Sequence, residues 1–324
     1  MTDFSMISAA AKRTHGRVRR TPLLSSPLLD QLAGRRIFVK AECLQTTGSF
    51  KLRGAWSALS GISEAERARG VVAYSSGNHA QGVALAARAH GVRAVIIMPS
   101  DAPRQKIENT KALGAEVVLY DRANENRDAI GAQFVDDQGL TLIKPFDNAL
   151  VIAGQGTTGI EISEQASDQG IENAQVLVPC GGGGLTTGIA IALAELAPNM
   201  TVRPCEPAGF DDTNRSLASG RIERNAAMTG SICDAIVTPS PGQMTFPIMQ
   251  KLCQPGVAVP DEDCLQAMAL AFTYLKIVIE PGGAVALAAA LFHGADLPDG
   301  DIIAVASGGN VDADMFTRAL AIKT

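Results

Sequence analysis

Residues 70–120 read GVVAYSSGNHAQGVALAARAHGVRAVIIMPSDAPRQKIENTKALGAEVVLY, and this stretch decides the fold. VVAYS (71–75) is a short apolar run that predicts a strand, and HAQGVALAARAHG (79–91), Ala-rich with apolar residues at helical spacing, predicts a helix. RAVIIMP (93–99), APRQKIENTKALG (102–114) and AEVVLY (115–120) continue as strand, helix and strand. Strands that alternate with helices in this way build a parallel sheet, so the stretch is a βαβαβ module of an α/β protein.

Outward from it, a second series begins near Ile152. It holds QVLVP (175–179) before four glycines, LTTGIAIALAELAP (185–198), VRPCEPAG (202–209) and finally IIAVA (302–306) before SGGN. The reading is a separate and larger sheet. No low-complexity linker divides the two series, and no repeat of solenoid period is present.

Composition narrows the function. The 324 residues suffice for about two domains with a sizeable core. Hydrophobic residues at 46% and charged residues at 19% exclude a disordered chain. A net charge of -5 and 4% aromatic residues offer neither a basic field nor stacking platforms, so nucleic acid is not an expected partner. The six cysteines (Cys43, Cys180, Cys205, Cys233, Cys253, Cys264) form no CxxC pair, and four histidines supply no zinc-ligand spacing. Buried free thiols are expected. The N-terminus lacks a signal-peptide core, and the apolar runs near 186–197 and 283–292 fall short of a membrane span. The expectation is a cytoplasmic protein without membrane contact.

Ligands of such sheets bind outside the carboxyl ends of the strands, where four loops of this chain fall. In CLQTTGSFKLRGA (43–55), Lys51 stands between Phe50 and Leu52; apolar surroundings would lower its pKa and free a nucleophilic amine for a Schiff base. A surface lysine with a snorkelling stem is the plainer reading of Lys51 taken alone. In PCGGGGL (179–185), successive glycines before a helix let backbone N–H groups converge on a phosphate, although neither a Walker loop nor a GxGxxG fingerprint is completed. SSGNH (75–79) at another strand-to-helix junction suits a carboxylate or is an ordinary N-cap, and His79 by itself reads as structural. In ASGGNVD (306–312), Ser307 presents a neutral hydroxyl at a strand end, or simply lies in a turn. Glu206 and Asp212 in EPAGFDD are oxygen ligands for a hard divalent cation or a solvated acidic loop. Glu280 follows the apolar run IVI, which predicts a buried acid with a partner.

Together and in order, TTGSFKLRGA, SSGNHAQG, IAGQGTTGIEI, PCGGGGL, EPAGFDD, IEPGGA and SGGNVD resemble the serine/threonine dehydratase and serine racemase family. That is the tryptophan-synthase-β-like group, fold type II of the pyridoxal-phosphate enzymes. The resemblance implies two open, twisted parallel-sheet α/β domains: a large cofactor domain of residues 1–69 and 148–324, and a small mobile substrate domain of residues 70–147. It implies that Lys51 carries pyridoxal 5'-phosphate as a Schiff base, that Phe50 packs on the ring, and that Gly181, Gly182, Gly183, Gly184 and Leu185 bind the phosphate. Asn78 would contact the 3-hydroxyl, Ser307 would face the pyridine nitrogen, and Glu280 would line the cofactor site. A hydroxyl beside that nitrogen leaves it neutral, which favours expulsion of a β-substituent over transamination.

The implied reaction is β-elimination from a β-hydroxy amino acid such as L-serine or L-threonine, giving a 2-oxo acid and ammonia. Ser75, Ser76, Asn78 and His79 would hold the α-carboxylate. Ser76, which many threonine dehydratases replace by Ala, could also donate a proton to Cα for racemisation. Arg127 and Ser240 fall at substrate-side positions of the family, and an Arg there could hold the second carboxylate of 3-hydroxyaspartate, giving oxaloacetate. HAQG departs from the racemase pattern and KPFDNA is closer to the dehydratases, so elimination ranks ahead of racemisation. Glu206, Asp212 and the Phe210 carbonyl would bind Mg2+ or Ca2+, and a homodimer is implied. A cysteine-synthase-like β-replacement enzyme fits EPAGFDD poorly, and a silent cofactor- or amino-acid-binding protein would tend to lose Lys51 or Ser307.

Overall fold

A computed structural model describes residues 2–75, 77–102 and 104–322. The ten strands among them form two sheets. β1 (Leu23–Ser25), β2 (Ile37–Lys40), β7 (Ala174–Pro179), β8 (Met200–Pro207), β9 (Val257–Val259) and β10 (Asp301–Val305) form the larger, in the order β1-β2-β10-β7-β8-β9. β3 (Val71–Tyr74), β4 (Ala94–Pro99), β5 (Glu116–Tyr120) and β6 (Thr141–Leu142) form the smaller, in the order β5-β4-β3-β6. All pairings are parallel except β1 with β2. β10 enters between β2 and β7, with Ile303 opposite both Phe38 and Val176. Both ends of the chain therefore build one sheet, and the smaller sheet is drawn entirely from residues 71–142.

The period of two along each strand sorts the core. Ile37, Val39, Leu177, Ile302 and Ala304 face the buried helix Pro281–Phe292, while Phe38, Val176, Val178, Ile303 and Val305 face the helices Ala149–Asp168 and Gly184–Leu196. The expected βαβαβ module and the larger second sheet are both present. β1, β2, β6 and β9, each of two to four residues, and the first helix, Phe4–Thr14, lie outside the sequence reading.

Helix Ala149–Asp168 positions the site because it touches two others at backbone distance. A Cβ on Gly154 would lie 2.4 Å from the Arg53 carbonyl of helix Lys51–Gly61, and one on Gly188 would lie 2.5 Å from the Gly156 nitrogen. Beneath the lysine helix is a buried charge cluster. Arg53 donates Nε and Nη2 to Glu42 at 2.7 and 2.8 Å and Nη1 to Glu161 at 2.7 Å, while Lys40 Nζ reaches Glu161 at 2.6 Å. Arg53, Glu42 and Lys40 are fully buried. Satisfied charges of this kind fix a register more than they add stability, but removing one partner strands the other. All six cysteines are free thiols, and all but Cys253 are buried. Among the described residues no helix is long and apolar enough to cross a membrane.

Candidate active site

The four loops singled out in the sequence follow β3, β7 and β10 and lead into helix Lys51–Gly61. Lys51 opens its helix, and its loop is tied to the one after β10: Phe50 N donates to the Ser307 carbonyl at 3.1 Å, and Ser49 bridges Gly308. Lys51 Nζ donates to the Pro145 carbonyl at 3.1 Å and lies 5.0 Å from the Phe50 ring centroid, with no carboxylate in ion-pair contact among the described residues. Desolvation brings its pKa down to about 8, against the opposing charge of Glu280. A neutral amine is therefore accessible near physiological pH.

The glycine loop closes over its own carbonyls. Gly182 O accepts from Gly242 N at 3.2 Å and from Thr245 Oγ1 at 2.7 Å, which pins the loop by its carbonyl. Gly183 is left-handed (φ 88°) and starts helix Gly184–Leu196, whose first N–H groups have no intrahelical acceptor. A Cβ on Gly182 would lie 2.3 Å from the Phe146 ring, so the cradle admits no side chain there. The hydroxyls of Thr47, Ser49, Thr186 and Thr238 are buried without a partner among the described residues. A glycine loop at a helix N-terminus, with the unused hydroxyls of Thr47 and Ser49 in the lysine's own loop, fits an anionic, hydrogen-bonding group.

The smaller sheet contributes polar groups from across the cleft. Asn78 Nδ2 donates to Glu280 Oε1 at 2.5 Å, Asn310 Nδ2 donates to Asn78 Oδ1 at 2.7 Å, and Asn310 also reaches the Thr47 carbonyl. Glu280 is buried as expected; desolvation raises its pKa to about 7, opposed by Lys106, Asn78 and Lys51. Ser307 is likewise buried. Ser75 Oγ accepts from Gly77 N at 3.1 Å, while Ser76 lies outside the described residues. His79 bonds through Nε2 to the Ile143 carbonyl at 2.8 Å, so that nitrogen carries the proton; burial lowers its pKa to about 3 and the ring is neutral. The ring ties its helix to the end of strand β6, its Nδ1 is buried without a partner among the described residues, and the helix offers a ligand the backbone of its first turn.

Arg127 and Ser240 meet elsewhere, in a cavity of about 240 Å³ that neither Lys51, Asn78, Glu280 nor Ser307 lines. The cavity adjoins the lysine through Pro145 and the glycine cradle through Phe146 and Gly242. Arg127 lies 5.0 Å over the Tyr74 ring. Sequence reasoning gave no role to Phe146, Gly242 or Asn310, whose positions only the folded chain brings to the site.

Glu206, at the end of β8, accepts Thr213 N and Asn214 N at 2.9 and 2.8 Å, holding the start of helix Asp212–Ser219. Asp212 Oδ1 takes Asn225 Nδ2 at 2.5 Å, and its Oδ2 is buried without a partner among the described residues. Burial raises both carboxyls, Asp212 to about 6. No group of three or more His, Cys, Asp or Glu side chains with metal-binding geometry occurs among the described residues.

A family model described as pyridoxal-phosphate dependent enzyme matches residues 15–308. An L-threo-3-hydroxyaspartate ammonia-lyase from Pseudomonas sp is 38% identical over 320 residues, covering 99% of each chain. A serine racemase from Dictyostelium discoideum is 38% identical over 97% of this chain and 96% of its own. Among solved structures, a threonine deaminase from T.th. superimposes with a TM-score of 0.90 at 45% identity, over 96% of this chain and 99% of that one.

Proposed function

This chain belongs to the pyridoxal-phosphate-dependent enzyme family, and on that premise we propose that it catalyses β-elimination from a β-hydroxy amino acid, L-serine and L-threonine within that class, to a 2-oxo acid and ammonia. The observation that carries the reading is the desolvated Lys51 amine, without a carboxylate partner among the described residues, beside a cradle of N–H groups and unpaired hydroxyls. Those residues suit the cofactor: Lys51 would hold its aldehyde carbon, Gly181 to Leu185 its phosphate, Phe50 its ring face, Asn78 and Glu280 the hydroxyl side, and Ser307 the ring nitrogen. When bound, pyridoxal phosphate supplies the electron sink that allows a Cα–H bond to break.

The chain's own groups do the rest. The Lys51 amine, neutral above about pH 8, takes the Cα proton. The first turn of helix Asn78–His90, with Ser75 and Ser76, holds the α-carboxylate. The proton taken from Cα balances the one the β-hydroxyl needs to leave as water, the Cα–Cβ double bond forms in its place, and a water then hydrolyses the enamine, through its imine tautomer, to the 2-oxo acid and ammonia. The buried surroundings of Lys51 exclude water from the proton transfer. Racemisation ranks second in this reading, supported by Ser76 and by the similarity to a serine racemase.

We infer further that residues 70–147 move as a substrate domain against 1–69 and 148–324. Glu206, Asp212 and the Phe210 carbonyl hold Mg2+ or Ca2+, supported by the unpartnered Asp212 Oδ2. The chain pairs as a homodimer, a reading supported by the exposed Phe272 and Leu320 on neighbouring elements, and works in the cytoplasm, a reading that rests on the sequence alone. The test is 2-oxo acid release by cofactor-loaded protein from L-Ser, L-Thr, D-Ser and the 3-hydroxyaspartate stereoisomers, with amino-acid chirality followed in the same tubes. Oxo acid release supports elimination; interconversion of serine enantiomers without oxo acid would make the chain a racemase instead.

A further inference from the structure

Helices Lys51–Gly61 and Asn78–His90 both open on the active site, and away from it they meet a group of cations that the proposed reaction does not use. Trp56 lies on the first helix, and His90 ends the second, about 18 Å of helix beyond Asn78. Their ring centroids are 4.8 Å apart, and Trp56 Nε1 donates to the carbonyl of Arg13, in the last turn of helix Phe4–Thr14, at 3.2 Å. Arg13 Nη2 in turn donates to Ser57 Oγ at 3.2 Å. Arg67, in the last turn of helix Glu64–Arg69, and Arg17 complete the group: burial lowers the pKa of His90, and the charges of these two arginines lower it further.

No carboxylate answers these charges. Arg13, Arg17 and Arg67 have no ion-pair partner among the described residues. Arg13 Nε and His90 Nε2 are buried without a hydrogen-bond partner among the described residues. Basic residues in a last turn answer the helix dipole, which accounts for Arg13, Arg67 and His90 one at a time. It does not account for two buried nitrogens left without an acceptor, or for cations gathered in a chain of net charge -5 with nothing between them. A negatively charged acceptor supplies both.

We infer that Arg13, Arg17, Arg67 and His90 form an anion site remote from the active site, for a doubly charged phosphate-type oxyanion. Guanidinium groups present forked N–H donors that match such an ion. The three arginines precede residue 70, whereas His90 ends a helix of the segment that carries the smaller sheet, so a bound ion joins the two. It would hold the far end of the helix that Asn78 opens. The site shares no residue with the cofactor seat and stands whether or not the β-elimination reading does.

Trp56 is the chain's one tryptophan, so its emission reports on this place alone. Cofactor-loaded protein, whose glycine cradle is already filled, is titrated at about pH 8, where phosphate is largely a dianion. Inorganic phosphate and glycerol 3-phosphate are added separately, with ionic strength held constant by sodium chloride. A saturable change is expected with a Kd of about 1 mM or lower, the strength of a few charge-assisted contacts. Saturation by phosphate alone names the free ion as ligand, and saturation by the ester alone names a phosphorylated metabolite; either supports the site. An Arg17→Ala/Arg67→Ala double variant, altered at one exposed and one half-buried residue, should bind about tenfold or more weakly. A measurement that needs no variant is the melting temperature, which should rise with the oxyanion and not with chloride. The inference is overturned if neither emission nor melting temperature responds, if sodium chloride reproduces the response at equal ionic strength, or if the double variant leaves the Kd unchanged.

Discussion

On the six-stranded side of the cleft, Arg53, Glu42, Glu280 and Ser307 are buried and held by the protein itself, whereas on the four-stranded side Ser75 and Arg127 are half-buried and Lys144 is exposed. The first side is a seat built in advance, with its loops joined by backbone bonds such as Phe50 to Ser307. The second delivers its polar groups on helix Asn78–His90, which packs on helix Lys51–Gly61 and is tied to the first side by the Asn78–Glu280 bond, while His79 to Ile143 is a bond within the second side. Cofactor retention should therefore depend chiefly on the large sheet, with Asn78 contributing from the other side, and substrate choice on the small one, a division that substitutions on each side can break.

The largest effect is expected from Lys51→Ala. The visible cofactor band should vanish and turnover should fall at least about 10³-fold, since one residue serves as both anchor and base. In the wild-type apoprotein, the rate of cofactor capture should climb with pH and level off above about 8, because only the neutral amine reacts and desolvation favours it. A rate still climbing at pH 10 would mean that the lysine is solvated, and the seat is not dry.

Arg53→Met tests the same side through stability. It leaves Glu42 charged and buried without its bidentate partner, at a cost of about 3–5 kcal/mol in chemical denaturation. Arg127→Met, on the open side, should stay within about 0.5 kcal/mol of wild type. Equal costs would erase the distinction between the two sides.

That cluster also marks where sequence reading ends. The strand-helix alternation of residues 70–120 and the glycine run 181–184 are local patterns, legible because the backbone geometry that needs them lies within a few residues. Glu280 was legible too, since an acid after IVI has no solvent to face. Lys40, Glu42, Arg53 and Glu161 carry no such mark. They are dispersed charges that composition assigns to the surface, and only packing of helix Ala149–Asp168 on helix Lys51–Gly61 makes them one buried unit. Phe146 over the glycine cradle and Asn310 on Asn78 are likewise contacts between distant segments. The short strands β1 and β6 escaped because two or three residues have no period to read.

Asn78→Ala cuts the main polar link between the sides. Loss of a hydrogen bond to a charged group costs about 1.5–3 kcal/mol, which should weaken cofactor binding by about tenfold or more in a titration of the visible band. The sign of the pH effect is fixed. Asn78 donates to Glu280 and favours its ionised form, so its removal should move the Glu280 midpoint upward from about 7, with Lys106 and Lys51 still opposing and Asp234 reinforcing the rise. An unmoved midpoint with weakened binding would leave Asn78 a contact of the cofactor alone.

A smaller effect than the loss of Arg53 or Asn78 is expected at the exception on the partnered side. Asp212 Oδ2 is buried with nothing to accept among the described residues, next to a Glu206 whose oxygens are both engaged by N–H groups. Two carboxyls raised by burial, one near a strand end and one at the helix start it holds, are better ionised with a cation between them than without one. At about tenfold excess over its Kd, Mg2+ or Ca2+ should add about 1.4 kcal/mol to the stability of the folded chain, and EDTA should remove it as a fall in melting temperature. An unchanged Tm would assign Glu206 to holding the helix start alone. Asp212 Oδ2 would then remain an unsatisfied acceptor within the side whose groups are otherwise held.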